Sequence, residues 1–283
     1  MQMLLIRYAE IGLKSSHVRS RFENRMKDNL IQMFASDGVE ALVERGEARF
    51  YVQTSDIEGA IRSARRVFGV ASVSVAETCA PDMDSICALA AEYSKSRMVK
   101  GKTFAVKARR AGNQKFTSMD VGRTVGDAIW NANLDKDPKV DLSHPDIVFY
   151  VEVRPKAAYV FDSYIECHAG LPVGTQGHVL AILDGSDRSL LSAWLMMKRG
   201  CKVYLRGDAG ADLLRAYDPF VKVLPDGEYP RNNMGIVMGL SVDDIPGFDQ
   251  SSYSLPVFFP TVGMSDAEVA SRLSAIRAEA GRD

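Results

Sequence analysis

The run Val179-Leu180-Ala181-Ile182-Leu183, followed at once by Asp184-Gly185-Ser186-Asp187-Arg188-Ser189, decides how the last third of the chain is read. An apolar run of this length bounded by a turn signal fits a strand buried on both faces. The Gly/Ser/Asp turn gives way to a helix expected from about Ser189 to Arg199, and Cys201–Leu205 supplies another strand. Further on, Asp208–Tyr217 reads as a weak helix, and Phe220–Leu224, Asn233–Leu240 and Leu255–Phe259 read as strands. Ser265 opens a last helix with Val269, Leu273 and Ile276 on its core side. Strands alternating with helices predict a small parallel α/β sheet. The Gly- and Pro-bearing stretch Ala169–Gly177 marks the boundary before it.

Two further units precede that boundary. Met3–Arg7 is a short strand, and Ser15 or Ser16 caps a helix from about His17 to Ala35. Its Val18, Phe22, Met26, Leu30 and Phe34 step by four into one stripe. Val39–Glu44 and Ala48–Gln53 read as a hairpin around Arg45-Gly46-Glu47. Ser55 or Asp56 caps a helix ending near Phe68-Gly69, and Val70–Glu77 closes the unit as a strand. This β-α-β-β-α-β order predicts a ferredoxin-like split βαβ unit. In the second unit Asp82–Val99 reads as a helix and Thr103–Lys107 as a strand, with Ala108–Phe116 as a basic loop. Ser118 starts a helix to about Asn131, and two strands, Ile147–Val153 and Ala157–Phe161, meet at Pro155.

Composition is that of a soluble globular chain: 283 residues, 46% hydrophobic and 25% charged, which excludes disordered and fibrous classes. No stretch approaches the roughly 18–20 apolar residues of a membrane helix. The run Met3–Ile6 meets Arg7 too early for a signal-peptide core. The four cysteines, Cys79, Cys87, Cys167 and Cys201, show no C-x-x-C spacing, so a reduced cytoplasmic protein is expected. Net charge is −1, but it is unevenly spread. Lys95–Arg123 holds nine basic residues and one acidic, and Lys14–Lys27 five basic and one acidic. Such local positive fields attract phosphate backbones. His17, His144, His168 and His178 have no ligand spacing, so no metal site is expected; Trp130 and Trp194 read as core residues.

Several motifs in order resemble the tRNA 4-thiouridine synthases, or tRNA sulfurtransferases (ThiI-like). Leu5-Ile6-Arg7-Tyr8-Ala9-Glu10-Ile11-Gly12-Leu13-Lys14 with Arg21-Phe22-Glu23 resembles the family's start, and Val67-Phe68-Gly69-Val70 the end of its ferredoxin-like domain. Lys107-Ala108-Arg109-Arg110-Ala111-Gly112-Asn113-Gln114-Lys115-Phe116, then Asp120-Val121-Gly122 and Val140–Asp146, resembles its THUMP domain. Gly170-Leu171-Pro172-Val173-Gly174 resembles the linker, and Met197-Lys198-Arg199-Gly200 the first helix of the catalytic domain. The resemblance implies an α+β ferredoxin-like domain (1–77) and a THUMP RNA-binding domain (78–166). A small α/β, Rossmann-like parallel-sheet domain of the ATP-pyrophosphatase type (175–283) follows, shortened and degenerate.

The departures lie in that last domain. The family's loop reads S-G-G-x-D-S. Here Asp184 replaces the first serine, Ser186 the second glycine and Arg188 the aspartate, while Gly185 and Ser189 remain. A loop of this kind places backbone N–H groups and a helix N-terminus around a pyrophosphate. Asp184 brings a negative charge there; Arg188 removes a carboxylate and offers a cation, an alternative phosphate ligand, with Asp187 one position displaced as a partial substitute for the lost acid. The residues of this degenerate nucleotide site are Asp184, Gly185, Ser186, Arg188, Ser189 and Gly239, the last in Met238-Gly239-Leu240-Ser241. The segment that often supplies the family's sulfur-carrying cysteine is missing between Arg206 and Asn233, and Cys201 reads as a buried structural thiol. A C-terminal rhodanese domain, present in some relatives, is expected to be absent.

The resulting expectation is a tRNA-binding protein gripping the acceptor stem and 3′ CCA end. Lys107, Arg109, Arg110, Lys115, Phe116, Ser118 and Arg123 are the contact residues, and Lys14, Arg21 and Arg25 extend the positive surface. Arg19 either joins that surface or pairs with Glu23 along the helix. Cations pair with phosphates and an aromatic stacks on an unpaired base. The family's ATP and magnesium are the implied cofactors, with ATP-dependent thiolation impaired by the altered loop. The alternative is an active sulfurtransferase, making 4-thiouridine and linked to thiamine thiazole synthesis, with an atypical loop and an external sulfur donor. A homodimer, or a heterodimer with an intact paralogue, are the expected assemblies; no membrane partner is expected.

Overall fold

A computed structural model describes residues 2–281. Met1 and residues 282–283, the outer ends of the first and third expected domains, lie outside the described residues. The chain packs as two compact units. Among the described residues, one holds 2–5, Tyr51–Gln53 and Val73–Ile165; the other holds Ile6–Phe50, Thr54–Ser72 and 166–281.

Residues 2–79 run β1 (Gln2–Tyr8), α1 (Ser16–Ser36), β2 (Ala41–Gly46), β3 (Arg49–Thr54), α2 (Ile57–Arg65) and β4 (Val70–Cys79), with strand order β2-β3-β1-β4. That is the ferredoxin-like arrangement the β-α-β-β-α-β order predicts. The stripe on α1 is buried at Phe22, Met26, Leu30 and Phe34, as a period of nearly four requires. Ser15 is the N-cap of α1, without a side-chain cap bond; Asp56 caps α2, accepting from Gly59 N–H at 2.8 Å. The hairpin turn falls at Glu47-Ala48, one residue later than the glycine suggests. Gly46 closes β2, and Ala48 takes the left-handed conformation (φ 55°). α2 stops at Arg65, short of Phe68, because the chain turns into β4 at Gly69.

The second stretch adds α3 (Met83–Lys95), β5 (Thr103–Arg110), α4 (Ser118–Ala132), β6 (Lys139–Val140), β7 (Ile147–Val153), β8 (Ala158–Phe161) and β9 (Ile165–Glu166). Its strands lie in the order β4-β8-β7-β5-β6. β5 runs parallel to β7 over seven residue pairs, from Phe104↔Ile147 to Arg110↔Val153, and so reaches three residues beyond the strand the sequence suggests. Ala108, Arg109 and Arg110 are therefore ladder residues and not loop. One face of these strands packs with α3 and α4 through Phe104, Val121, Val125, Ile129, Phe149 and Val151. The other buries Tyr159 and Phe161 with Met3, Leu5 and Ala76. Trp130, expected in the core, is 38% exposed on α4, which buries Val121, Val125 and Ile129 instead.

The last stretch is β10 (His178–Ile182), α5 (Asp187–Lys198), β11 (Lys202–Arg206), α6 (Ala211–Arg215), β12 (Lys222–Val223), β13 (Asn233–Val237), β14 (Val257–Phe258) and α7 (Asp266–Ala280). Its five strands are parallel, in the order β12-β11-β10-β13-β14. Val179, Ala181, Val203 and Leu205 meet Leu191, Trp194 and Met197 of α5 and Val269, Leu273 and Ile276 of α7 in one core. Phe68 of the β4 approach joins the same cluster, in an aromatic group with His168, Trp194 and Tyr217 (centroids 4.9–6.1 Å apart).

Candidate nucleic-acid interface and nucleotide loop

Alternation along β5 divides the basic motif between two faces. Phe104, Val106 and Ala108 point to the α3/α4 side. Lys107 and Arg109 point the other way, and both are exposed. In register they neighbour Tyr150 and Glu152 of β7, which in turn pair with Phe161 and Tyr159 of β8. Tyr150 stacks on Phe161 (5.1 Å) and Tyr159 on Tyr51 (5.1 Å). Two exposed cations thus edge a sheet face whose rings Tyr159 and Phe161 are buried, so what this edge offers a nucleic acid is contact with its phosphates.

The rest of the basic motif is placed differently. Arg110 turns to the helix side, and its guanidinium donates to the Gly112 carbonyl (2.6 Å) and weakly to that of Gln114 (3.4 Å). It holds the following loop in shape. Phe116 is half-buried against the α3/α4 core, which favours a packing role. The N-cap of α4 is Thr117 and not Ser118. Thr117 and Asp120 form a capping box in which the Asp120 carboxylate accepts from Thr117 N–H and Oγ1 at 2.8 Å each. Those bonds hold the Asp120 carboxyl below its usual range. The helix start at Ser118, one of the expected contact residues, therefore already carries a carboxylate. Lys115 is exposed, and Arg123, also exposed, lies 3.5 Å from Asp120. Lys14 and Arg21 are exposed near the start of α1. The Arg19 guanidinium donates to the Gly12 carbonyl (2.8 Å) and more weakly to that of Lys14 (3.2 Å), while Glu23 accepts from the Tyr8 hydroxyl.

The loop after β10 is folded onto itself. Asp184 accepts from Ser186 N–H (2.9 Å) and its hydroxyl (2.6 Å). Burial works against this charge, but the bonds from Ser186 and Ser189 outweigh it and hold the carboxyl below the usual range. One N–H that a pyrophosphate would use is thus taken by a carboxylate. Ser186 caps α5, accepting from Ser189 N–H (3.1 Å). Gly185 stands open at φ 89°, with nothing within 4 Å of where a Cβ would be. Gly239 is the opposite case: a Cβ there would lie 2.2 Å from Ser189 N, so the chain after β13 presses its backbone against the start of α5.

Arg188 is committed elsewhere. Its side chain, 11% exposed, donates to the carbonyls of Thr261 (2.8 Å) and Met264 (3.0 Å) and pairs with Asp266 (2.6 Å). It ties α5 to the start of α7. The surrounding hollow, about 950 Å³, is lined by Asp184, Asp187, Asp243, Asp244 and Asp266, with Arg188 the cation of the lining. Five carboxylates and one engaged guanidinium make this lining electrostatically unfavourable for a bare triphosphate. Among the described residues no three His, Cys, Asp or Glu side chains are grouped to hold a metal. All four cysteines are free thiols, and burial pushes each of them up, Cys79 to about 11 and Cys167 to about 12. An activated sulfur nucleophile needs the reverse.

The chain thus combines a ferredoxin-like arrangement, a two-helix sheet with a basic strand, and a parallel α/β sheet. Two family models match: a ThiI ferredoxin-like domain over residues 3–74 and a THUMP domain over residues 80–161. A protein of Methanosarcina mazei named probable tRNA sulfurtransferase is 39% identical over 204 residues, 71% of this chain and 50% of its own length. One of the same name from Halobacterium salinarum is 41% identical over 218 residues, 75% of this chain and 55% of its own. The chain belongs to the ThiI-like family, and it spans about half the length of these relatives. Among solved structures, one from Pyrococcus horikoshii is 25% identical with a TM-score of 0.81, covering 98% of this chain and 99% of that one. The crystal structure of a 4-thiouridine synthetase–RNA complex with bound ATP has a TM-score of 0.76 at 21% identity, over 98% of this chain and 85% of that one, a likeness of fold. Among the described residues no helix is long and apolar enough to cross a membrane.

Proposed function

We propose that the chain binds tRNA at its acceptor stem and 3′ CCA end, and that its C-terminal domain does not by itself carry out ATP-dependent thiolation. The domains are those read from the sequence, 1–77, 78–166 and 175–283. Lys107 and Arg109, beside β7, carry the RNA contact, with Lys14, Arg21, Lys115 and Arg123 adding phosphate neutralisation. The tRNA sulfurtransferase name of the relatives supports the substrate class.

The observation that carries the second half is the state of the loop after β10. Asp184 takes a loop N–H, and Arg188 is bound to Thr261 and Met264. A chain so built delivers tRNA to an intact partner, and sulfur comes from an external donor, because its own thiols are held protonated at neutral pH. Two measurements test this. Filter binding of tRNA across a salt series should weaken with Lys107→Ala or Arg109→Ala, with the salt slope reduced by about one for each. ATP–pyrophosphate exchange with purified protein and unmodified tRNA should give no signal. A tRNA-dependent exchange would overturn the second half, and unchanged tRNA affinity in both variants the first.

A further inference from the structure

A second cavity lies at the other end of the C-terminal sheet. The loop after β10 follows the C-terminal end of that strand. This cavity, about 340 Å³, opens instead beside His178 and Lys202, the first residues of β10 and β11, and beside Tyr204. Its opposite wall is α1, through Arg25, Asn29 and Gln32. Together with Arg21 these residues are spaced four, four and three apart, so they form one polar stripe on the helix. Arg25 and Gly174 also line an adjoining hollow of about 300 Å³ that holds Arg21. Both hollows belong to the same compact unit.

The lining has a definite chemistry. The aromatic side is Tyr204, with His178 tilted against it at 5.6 Å, and Phe220, 53% exposed at the mouth. The cationic side is Arg25 and Lys202; Lys202 pairs with the buried Asp218 and lies 5.9 Å from the Phe220 ring. Asp218 is fixed by the Phe220 N–H (3.0 Å), and Asn29 donates to the Val173 carbonyl (3.2 Å). Flat rings suit a heterocyclic base, the Gln32 amide its polar edge, and Arg25 a phosphate, Lys202 being already paired with Asp218. The volume falls within the ~300–1,000 Å³ range of small-ligand sites. One helical turn separates Arg21 from Arg25, a rise of about 6 Å, which matches a phosphate followed by the next one along a strand.

We infer that this cavity receives one unpaired nucleotide of an RNA strand, its base between Tyr204 and Phe220, its phosphate at Arg25 and the neighbouring phosphate at Arg21. The recognised unit is a nucleoside monophosphate. That its source is RNA rests on the tRNA-binding reading above; the chemistry of the cavity does not. The test is anisotropy with a fluorescein-labelled single-stranded tetraribonucleotide, alongside calorimetry with adenosine and cytidine 5′-monophosphates and filter binding of tRNA. Tyr204→Ala and Arg25→Gln should each weaken the tetranucleotide about tenfold, as loss of a stacking or phosphate contact does. Arg25 is exposed on its helix, so Arg25→Gln keeps the fold and leaves the test standing if Tyr204→Ala does not fold. Wild-type tetranucleotide affinity in Arg25→Gln and in folded Tyr204→Ala overturns the inference. If Arg109→Ala then still weakens tRNA, the tRNA reading survives it. Loss in the cavity variants with no effect of Arg109→Ala supports the cavity and overturns the THUMP contact. Tight binding of free monophosphate that the cavity variants abolish, with tRNA affinity unchanged in them, assigns the unit to free nucleotide and overturns the RNA source.

Discussion

Replacing Arg188 by alanine removes the tie between α5 and the chain leading into α7. Two of its bonds go to main-chain carbonyls, that of the fully buried Thr261 at 2.8 Å and that of Met264 at 3.0 Å. Hydrogen bonds from a charged donor contribute about 1.5–3 kcal/mol each. The third partner, Asp266, is 99% exposed, so that ion pair contributes about 0–1 kcal/mol. Water reaches the half-buried Met264 and restores part of one bond. The expected loss is about 3 kcal/mol, nearly all of it from the carbonyls, or a fall in Tm of roughly 6–12 °C for a chain of this size. Urea denaturation followed by tryptophan fluorescence reads it, since Trp194 shares the core that holds Val269, Leu273 and Ile276. Asp266→Ala should cost less than about 1 kcal/mol. Arg188→Asp restores the family's acidic residue but puts a further carboxylate among five, so it should be no more stable than Arg188→Ala. A loss below about 0.5 kcal/mol in Arg188→Ala, or equal losses in Arg188→Ala and Asp266→Ala, would show that the guanidinium does not hold these elements together.

Two glycines of the same loop region should behave in opposite ways. Gly239→Ala drives a Cβ to 2.2 Å from the Ser189 main chain, so a backbone has to move and the cost should exceed about 2 kcal/mol. Gly185→Ala meets no atom and bears only its positive φ, about 1 kcal/mol; chemical denaturation showing the reverse order would contradict this packing. Glu279, ion-paired with His168 (2.6 Å) and Arg65 (2.8 Å), is opposed by burial, but these partners win and hold its carboxyl below the usual range. A lowered carboxyl contributes stability above its unfolded value, about 4.3, and loses it as pH falls through the folded one. Glu279→Gln should therefore cost on the order of 1 kcal/mol at neutral pH and progressively less in acid. A difference from wild type that stays constant from about pH 7 to pH 3 would mean the carboxylate charge is not what acts there.

Short-range patterns carried a large share of the architecture. The i, i+4 stripe Phe22–Met26–Leu30–Phe34 and the strand-turn-helix at Val179–Ser189 depend on neighbours a few residues away, and both stand in the structure at nearly their expected bounds. Capping was legible at Asp56 and Ser265 for the same reason, since a cap needs only the residue three positions on. The resemblance to the ThiI-like family rested on ordered local motifs and needed no packing. Tertiary structure decided what the charged side chains do. Arg110 lies in a parallel ladder with Val153 and faces away from Arg109, because a glycine-bearing basic stretch looks like a loop until a distant strand pairs with it. Arg188 looks like a phosphate ligand in the loop, yet its partners sit 73 and 76 residues further on. The cavity that joins Arg25 and Asn29 to Lys202 and Tyr204 has no trace in the linear pattern. Periodicity records which side of an element is buried; it does not record which other element arrives there, and long side chains are assigned their work by that arrival.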